Sequence, residues 1–185
     1  MNFNELDFEI KTERLVLKQL VSRDVQSIFD IATTYPEITR FMSWSPPKKI
    51  EETKGFFKET EKKIKAGKLV RWGVFFEDEF IGMISIEGIV RKELKVRLDR
   101  GELGYWLSPK FEGNGYMTEA AKAVTDFSFN NLDLHKIIVM HVYENDKSKR
   151  VIEKSGFRHI GTQKSHVFIE KKWWDVEIYE LLNNY

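Results

Sequence analysis

Apolar and polar residues alternate with two different periods along the chain, and each period predicts one kind of element. Recurrence at every second position predicts strands over 13–20, 69–76, 80–90, 102–107, 157–169 and 173–182. Recurrence at every third or fourth position predicts helices from a cap at Ser22 to the break at Pro36, and over 38–42, 47–66, 117–130 and 145–155. The nearly unbroken apolar run 136–143 is typical of a central strand buried on both faces. The charged stretch 91–100 predicts a loop or an extended hairpin tip.

The order of these elements predicts the fold class. The strand, helix and strand between 102 and 143 form a βαβ unit, and the two strands of such a unit lie parallel. The other strands are expected to pair antiparallel. We therefore expect an α/β (α+β) fold, with a mixed, mostly antiparallel sheet of six to seven strands and helices on both faces. The chain shows no repeat or linker, so 1–185 is predicted to be one domain with a core over about 12–182.

Composition narrows the function classes. The formal net charge is +1, so no direct nucleic-acid binding is expected. The sequence has no apolar run of membrane-span length and no leader-like start, which predicts a cytoplasmic protein without membrane contact. It has no cysteine, and its four histidines lack ligand spacing, so no metal is expected.

The segment between the strand 102–107 and the helix from Met117 is the strongest candidate for a ligand site. Gly113 and Gly115 flank Asn114, and these residue types tolerate positive φ. Such a turn can leave several N–H groups pointing one way, beside the positive end of a helix dipole. That arrangement receives a phosphate or pyrophosphate without a charged side chain. An ordinary strand-to-helix connection is the other interpretation of the same residues.

A second candidate segment follows the apolar run 136–143. Asn145 comes directly after that strand, and Ser148 lies one helical turn later on the same side. The Asn145 amide can hydrogen-bond a ligand that lies at the strand end. Alternatively, both residues only cap the helix that begins there.

Together the two segments resemble the signatures of the GNAT superfamily of acetyltransferases. That superfamily carries Gln/Arg-x-x-Gly-x-Gly/Ala at the first segment, where this chain has Glu112-Gly113-Asn114-Gly115-Tyr116-Met117, departing at Glu112 and Met117. The continuation Gly-Tyr-Met-Thr-Glu-Ala and the opening strand 12–18 are similar to the branch of bacterial ribosomal-protein amino-terminal acetyltransferases. The second signature, Asn-x-x-Ala/Ser, an apolar pair and Lys-x-Gly-Phe, matches 145–157.

The resemblance implies acetyl-coenzyme A as co-substrate and no metal. The backbone of the glycine turn would bind the pyrophosphate, and the pantetheine arm would lie between the two parallel strands, which splay apart in this superfamily. The cofactor-binding residues it implies are Leu107, Glu112, Gly113, Asn114, Gly115, Tyr116, Met117, Thr118, Asn145 and Ser148. The acceptor implied is a primary amine, in first place the α-amine of a protein such as a ribosomal protein. A homodimer is expected only by analogy.

Acetyl transfer needs a neutral amine, and Glu102 is the candidate catalytic base because it begins the strand beside the implied slot. His141 and His166 are rival bases. The resemblance implies Ser148 as the second catalytic candidate, because it matches a serine implicated as the acid in the ribosomal-protein branch. Many relatives place a tyrosine where this chain has Ile152, which leaves Tyr143 as another candidate hydroxyl.

Three questions stay open on the sequence. Aromatic candidates for the acceptor pocket are Phe41, Trp44, Trp72 and Tyr105, and each is also a candidate for core packing. The acceptor could be a small amine or polyamine instead of a protein terminus. A domain that binds acyl-coenzyme A without transferring the acyl group fits the same signatures.

Overall fold

A computed structural model of the chain describes residues 8–183. Within this part of the chain the strands are β1 (Ile10–Lys11), β2 (Leu15–Lys18), β3 (Val70–Phe76), β4 (Glu79–Glu93), β5 (Val96–Leu107), β6 (Lys136–Val142), β7 (Arg158–Ile169) and β8 (Lys172–Leu182). The helices are α1 (Val25–Thr34), α2 (Ile50–Lys65), α3 (Tyr116–Asn130) and α4 (Asp146–Lys154). Short 3-10 turns occupy Ser22–Asp24, Pro36–Thr39 and Pro109–Phe111.

The strands form one mixed sheet in the order β1-β2-β3-β4-β5-β6-β8-β7. All neighbours pair antiparallel except β5 and β6, which are parallel, as the βαβ pattern predicts. The parallel ladder runs from Arg100↔Lys136 to Leu103↔Val139 and then stops. Beyond it, β5 continues beside β4 to Leu107 and β6 continues beside β8 to Val142. The gap between 104–107 of β5 and 140–142 of β6 is called the slot below.

Helices cover both faces of the sheet, as predicted. The face packed by α3 and α4, called the α3 face, buries Leu103, Val139 and Ile152 in the main hydrophobic cluster. The opposite, α1 face buries Ile28 of α1 with Met83 and Trp106 in a smaller cluster. Because alternate residues of a strand point to opposite faces, β5 sends Leu103 and Tyr105 to the first and Glu102 and Trp106 to the second.

Several predicted details of the strands need correction. The sheet has eight strands rather than six or seven, because the two residues of β1 add an edge to β2. The charged stretch 91–100 is the extended hairpin tip of the two alternatives, with β4 reaching Glu93 and β5 starting at Val96. The run in β6 is not buried on both faces, because Ile138 and Met140 stay half-exposed. The smaller cluster that fills the α1 face contains no residue of β6.

The starts of two helices also differ from the predictions. Ser22 does not cap α1 but opens a 3-10 turn, in which the Asp24 carboxylate accepts a hydrogen bond from the Val21 N–H at 2.7 Å. Pro47 lies outside the first turn of α2, since Lys49 is the extended residue that precedes the helix. The predicted helix at 38–42 is replaced by the 3-10 turn Pro36–Thr39.

Candidate active site

The glycine turn after β5 presents a run of unpaired backbone N–H groups, called the cradle. Gly113 and Gly115 have φ of 81° and 80°, and Gly115 is the residue that precedes α3. Within residues 8–183 no oxygen accepts a hydrogen bond from the main-chain N–H groups of 113–118, whereas Glu119 N–H is bonded to Gly115 O at 3.0 Å. These donors lie at the positive end of the α3 dipole, so the cradle fits a phosphate or pyrophosphate group.

Arg14, the residue just before β2, holds the cradle in place. Its guanidinium donates to Asn114 O at 3.0 Å and to the Glu119 carboxylate at 2.7 Å, and it lies 4.7 Å from the centre of the Tyr116 ring. Burial raises the pKa of Glu119, but hydrogen bonds from Thr12 and Arg14 outweigh burial and hold that pKa below its usual range. Glu119 is therefore ionised at neutral pH and anchors Arg14 beside the cradle.

Glu112, the acidic residue in the cofactor signature, points away from the cradle amides. Its carboxylate forms an ion pair with Lys147 in the first turn of α4. This contact neutralises a charge that would repel a phosphate. It also connects the glycine turn to the first turn of α4.

Ser148 and Tyr105 meet on the α3 face of the slot. Their hydroxyl oxygens are 2.8 Å apart, and the Tyr105 hydroxyl also lies 3.2 Å from Ser148 O. Burial raises the pKa of Tyr105 well above its usual range, and the hydrogen bond with Ser148 offsets only part of that effect. Tyr105 therefore stays neutral at physiological pH, and the pair can pass a proton between two hydroxyls.

Asn145 and Leu107 border the same slot. The Asn145 side-chain oxygen accepts a hydrogen bond from the Ser148 N–H at 3.1 Å, so Asn145 does cap α4. Its amide nitrogen has no acceptor among residues 8–183, which leaves a donor at the end of β6. Leu107 is the last residue of β5 and is half-buried.

Glu102 lies on the α1 face, at the closed end of the slot and across the sheet from Ser148. It is directly opposite Glu87 of β4. Burial raises the pKa of Glu102, and the negative charge of Glu87 raises it further. Glu87 itself accepts hydrogen bonds from Ser85 at 2.9 Å and from Arg71 at 2.9 Å. A carboxylate with a raised pKa, two residues before the part of β5 that has no partner on the β6 side, has the properties of a general base.

The aromatic candidates for the acceptor pocket divide between the two faces. On the α1 face, Phe41 packs against Trp174 with ring centres 5.9 Å apart, and Trp44 packs against Trp106 at 6.4 Å. Trp72 does not line a pocket, because it is fully buried and its Nε1 donates to Phe8 O at 2.6 Å. Tyr105 lies on the α3 face and contacts Ser148 instead.

A cavity of about 340 Å³ lies on the α1 face between α2 and strands β3 and β4. Arg71 lines this cavity and is the residue that pairs with Glu87. Through Arg71, the cavity adjoins the Glu87–Glu102 pair on the α1 face.

The remaining candidates lie in different surroundings. His166 is exposed on β7, and Tyr143 is exposed just after β6, whereas His141 is buried on β6. Residues 8–183 include no group of three or more His, Asp or Glu side chains arranged to hold a metal ion. None of the helices in that range is long and apolar enough to cross a bilayer.

Sequence reasoning missed three residues of this site, Arg14, Glu87 and Lys147, and it also missed the contact between Tyr105 and Ser148. Arg14 meets Glu119 across 105 positions, and Tyr105 meets Ser148 across 43. No local pattern reports such contacts. One signal for the place of Tyr105 was available, the alternation of side chains along β5. It puts Tyr105, two residues after Leu103, on the same face of the sheet.

Known proteins resemble the chain in sequence and structure. A family model described as Acetyltransferase (GNAT) domain matches residues 14–158. The N-acetyltransferase YoaA of Bacillus subtilis (strain 168) is 25% identical over 175 residues, which cover 94% of this chain and 96% of the relative. The [ribosomal protein uS5]-alanine N-acetyltransferase of Escherichia coli (strain K12) is 26% identical over 177 residues, which cover 90% and 86%.

Among solved structures, RimL, a ribosomal L7/L12 alpha-N-protein acetyltransferase in complex with coenzyme A, superposes with a TM-score of 0.87. It is 19% identical and covers 94% of this chain and 97% of its own, so this likeness concerns the fold. The family match spans most of the chain and includes both β5 and the cradle. The predicted family and reaction class are thereby confirmed: the chain belongs to the acetyltransferase (GNAT) family and is an N-acetyltransferase.

Proposed function

We propose that the protein transfers the acetyl group of acetyl-coenzyme A to the α-amine at the amino terminus of a protein or peptide, of the ribosomal-protein kind. The observation that carries this proposal is the cradle of unpaired N–H groups at 113–118, next to parallel strands that part at Leu103 and Val139. When the cradle holds the diphosphate of acetyl-coenzyme A, the acyl-pantetheine arm of the same molecule lies at the mouth of the slot.

The binding part of the proposal assigns each wall of the slot a role. The cradle, residues 113–118, holds the pyrophosphate through main-chain N–H groups, with Arg14 fixing its shape. Leu107 and Asn145 flank the pantetheine arm at the ends of β5 and β6. The arm lies between the two strands, as ligands do at the carboxyl ends of parallel strands.

The chemical part of the proposal uses both faces of the slot. A bond forms between the amine nitrogen and the acetyl carbon, and the bond from that carbon to sulfur breaks. The amine loses one proton to Glu102, directly or through a water, and the departing sulfur gains one from Ser148. Ser148 regains its proton from water and Glu102 releases its own to water, while Tyr105, hydrogen-bonded to Ser148 at 2.8 Å, orients the Ser148 hydroxyl.

An α-amine is an easier acceptor than a lysine-type amine. An α-amine with a pKa of about 7.7–8.0 is neutral roughly a tenth of the time at pH 7, whereas an amine with a pKa of about 10.4 is neutral about once in a few thousand. The E. coli relative named above modifies an alanine of a ribosomal protein, which supports the same choice.

A polyamine is the second candidate acceptor, and one observation favours it. Glu87 and Glu102 face each other on the α1 face and together can attract a substrate with more than one positive charge. Arg71 weakens this attraction, because it already pairs with Glu87 at 2.9 Å.

An acceptor panel tests the proposal. The purified protein is incubated with acetyl-coenzyme A and, in turn, peptides with a free terminus, the same peptides blocked at the terminus but containing lysine, and spermidine. We expect mass spectrometry to find the acetyl group on free termini. Acetylated lysine or spermidine with untouched termini would contradict the α-amine assignment, and tight binding of coenzyme A without any acetylated product would favour a non-catalytic module.

Replacing Ser148 by Ala is expected to lower kcat by about tenfold or less. The effect is modest because the thiol that leaves has a pKa of about 8.5 and needs little help from an acid. Tyr105→Phe is expected to have a similar or smaller effect, and the double variant is expected to match Ser148→Ala alone, since the two hydroxyls act in series. Steady-state kinetics at saturating acceptor measure this, and an unchanged kcat in Ser148→Ala removes Ser148 from the mechanism.

A further inference from the structure

Gly104 leaves a dent in the α1 face of β5, between two large side chains. Because alternate residues of a strand point to the same face, Glu102, Gly104 and Trp106 all lie on the α1 face. Gly104 is half-exposed and is the first residue of β5 beyond the parallel ladder. Among residues 8–183 other than its chain neighbours, only Ser85 Oγ would lie within 4 Å of a methyl group added at Gly104, at an ordinary 3.5 Å. Packing therefore does not require a glycine here, and the space above Gly104 is open.

A loop crosses the open end of the slot on the same face. It consists of residues 41–44, called the strap below. Trp44 packs on Trp106 of β5 with ring centres 6.4 Å apart, and Phe41 packs on Trp174 of β8 at 5.9 Å. Trp174 lies just beyond the part of β8 that pairs with β6. The slot lies between these two contacts, so the strap bounds the dent on the side away from Glu102.

The dent has walls on three sides and opens to the slot on the fourth. Along β5, Glu102 and Trp106 are four residues apart, a length of about 13 Å at about 3.3 Å per residue. Their side chains take up both ends of this length, and the strap adds to the Trp106 end. Ser85 of β4, which pairs with Gly104, forms the third wall. On the fourth side the ladder with β6 has stopped, so the dent meets the slot next to Glu102.

We propose that Gly104 and the strap determine which first residue an acceptor can carry. This inference rests on the proposed transfer to an α-amine. When the amine lies between Glu102 and the thioester, the side chain on the neighbouring carbon lies over Gly104, the next residue on that face. The missing side chain of Gly104 makes room for a small side chain such as that of Ala, and Phe41 and Trp44 of the strap limit its size. A bulkier side chain meets the strap and moves the amine away from the acyl carbon.

A peptide series tests this inference. The peptides are identical except for the first residue, which is Gly, Ala or Leu, and kcat/KM is measured for each with acetyl-coenzyme A. Gly104→Ala fills the dent, and Phe41→Ala removes the contact of the strap with Trp174. The matched controls are Gly161→Ala on β7, where an added methyl group has no atom of residues 8–183 within 4 Å, and Phe168→Ala, at an exposed aromatic residue of the same strand.

We expect the ratio of kcat/KM for the Ala peptide to that for the Gly peptide to fall about 10- to 100-fold in Gly104→Ala, because a displacement of the amine by about 1 Å costs about 100-fold. In Phe41→Ala the ratio for the Leu peptide to the Ala peptide is expected to rise about tenfold, the lower end of what a size limit in a pocket contributes. Both ratios are expected to match those of the parent in Gly161→Ala and Phe168→Ala. Each ratio compares two rates of one variant, so a partly unfolded preparation still reports it.

Each part of the inference has its own contrary result. An unchanged Ala-to-Gly ratio in Gly104→Ala overturns the role of Gly104, and an unchanged Leu-to-Ala ratio in Phe41→Ala overturns the role of the strap. Similar shifts in the control variants overturn both. A parent protein that acetylates all the peptides at equal rates keeps the proposed function and overturns this inference, whereas a parent that acetylates none of them refutes the proposed function itself.

Discussion

Replacing Glu102 by Gln is expected to lower kcat/KM about 100- to 10,000-fold, the usual range for loss of a general base. Gln keeps the size and polarity of the side chain, so the loss reflects the proton acceptor itself. The loss is expected to be larger for an amine of pKa about 10.4 than for an α-amine, because fewer of its molecules are already neutral at pH 7. Initial rates with a terminal peptide and with spermidine measure the difference.

The same residue is expected to set the acidic limb of the pH–rate profile. Burial first, and then the charge of Glu87, raise the pKa of Glu102, so protonation stops the base at a pH above the usual range for a glutamate. Activity is therefore present above that raised pKa and is lost as pH falls through it. Glu87→Gln removes the neighbouring charge and is expected to move the acidic limb to lower pH.

The control for these effects is Glu93→Gln, at the exposed far end of β4. It removes one negative charge from the same strand without touching the slot, and it is expected to leave both rate and pH profile unchanged. A Glu102→Gln enzyme with more than half of the parent kcat/KM would show that the base lies elsewhere. An acidic limb that Glu87→Gln does not move would show that the charge of Glu87 does not raise the pKa of the group that sets this limb.

What the sequence predicts well is local. Gly113 and Gly115 indicate the turn because glycine tolerates positive φ whatever its surroundings, and both residues adopt positive φ. The 3.6-residue period before Asn130 predicts α3, and the order of elements predicts the parallel pair. Each of these features depends on residues within a few positions of one another or on a handedness rule that all proteins share.

What the sequence does not predict is which distant side chains meet. The pattern of the α2 sequence puts charged residues on one face, but nothing in it indicates that Thr60 would contact Arg71 at 2.7 Å. The sequence shows that Trp72 is a large aromatic residue, but it does not show which residue covers it. The contact of Trp72 with Phe127 follows from the packing of α3 on β3. For the charged stretch 91–100 the sequence leaves two alternatives, a loop or a hairpin tip. Pairing between β4 and β5, and not local hydrophobicity, decides for the hairpin tip.

The cradle gives the second large expected effect, in Gly115→Ala. Gly115 has φ of 80°, where an added methyl group costs about 1–2 kcal/mol because of its contact with the following carbonyl. Space is not the obstacle, since the nearest atom to a new Cβ is Arg14 Nη2 at an ordinary 3.6 Å. If the backbone relaxes toward negative φ, the peptide groups on either side rotate and their N–H groups leave the phosphate.

We expect Gly115→Ala to weaken coenzyme A binding about 10- to 100-fold, since each hydrogen bond to a charged group contributes about 1.5–3 kcal/mol. Gly88→Ala is a matched control, because Gly88 in β4 also has positive φ, at 55°, and has no atom within 4 Å of the new Cβ. Both variants are expected to lose similar stability, measured as Tm, while calorimetry finds weaker coenzyme A binding in Gly115→Ala alone. Equal affinities in the two variants would mean that the phosphates are bound by side chains and not by the main chain of the cradle.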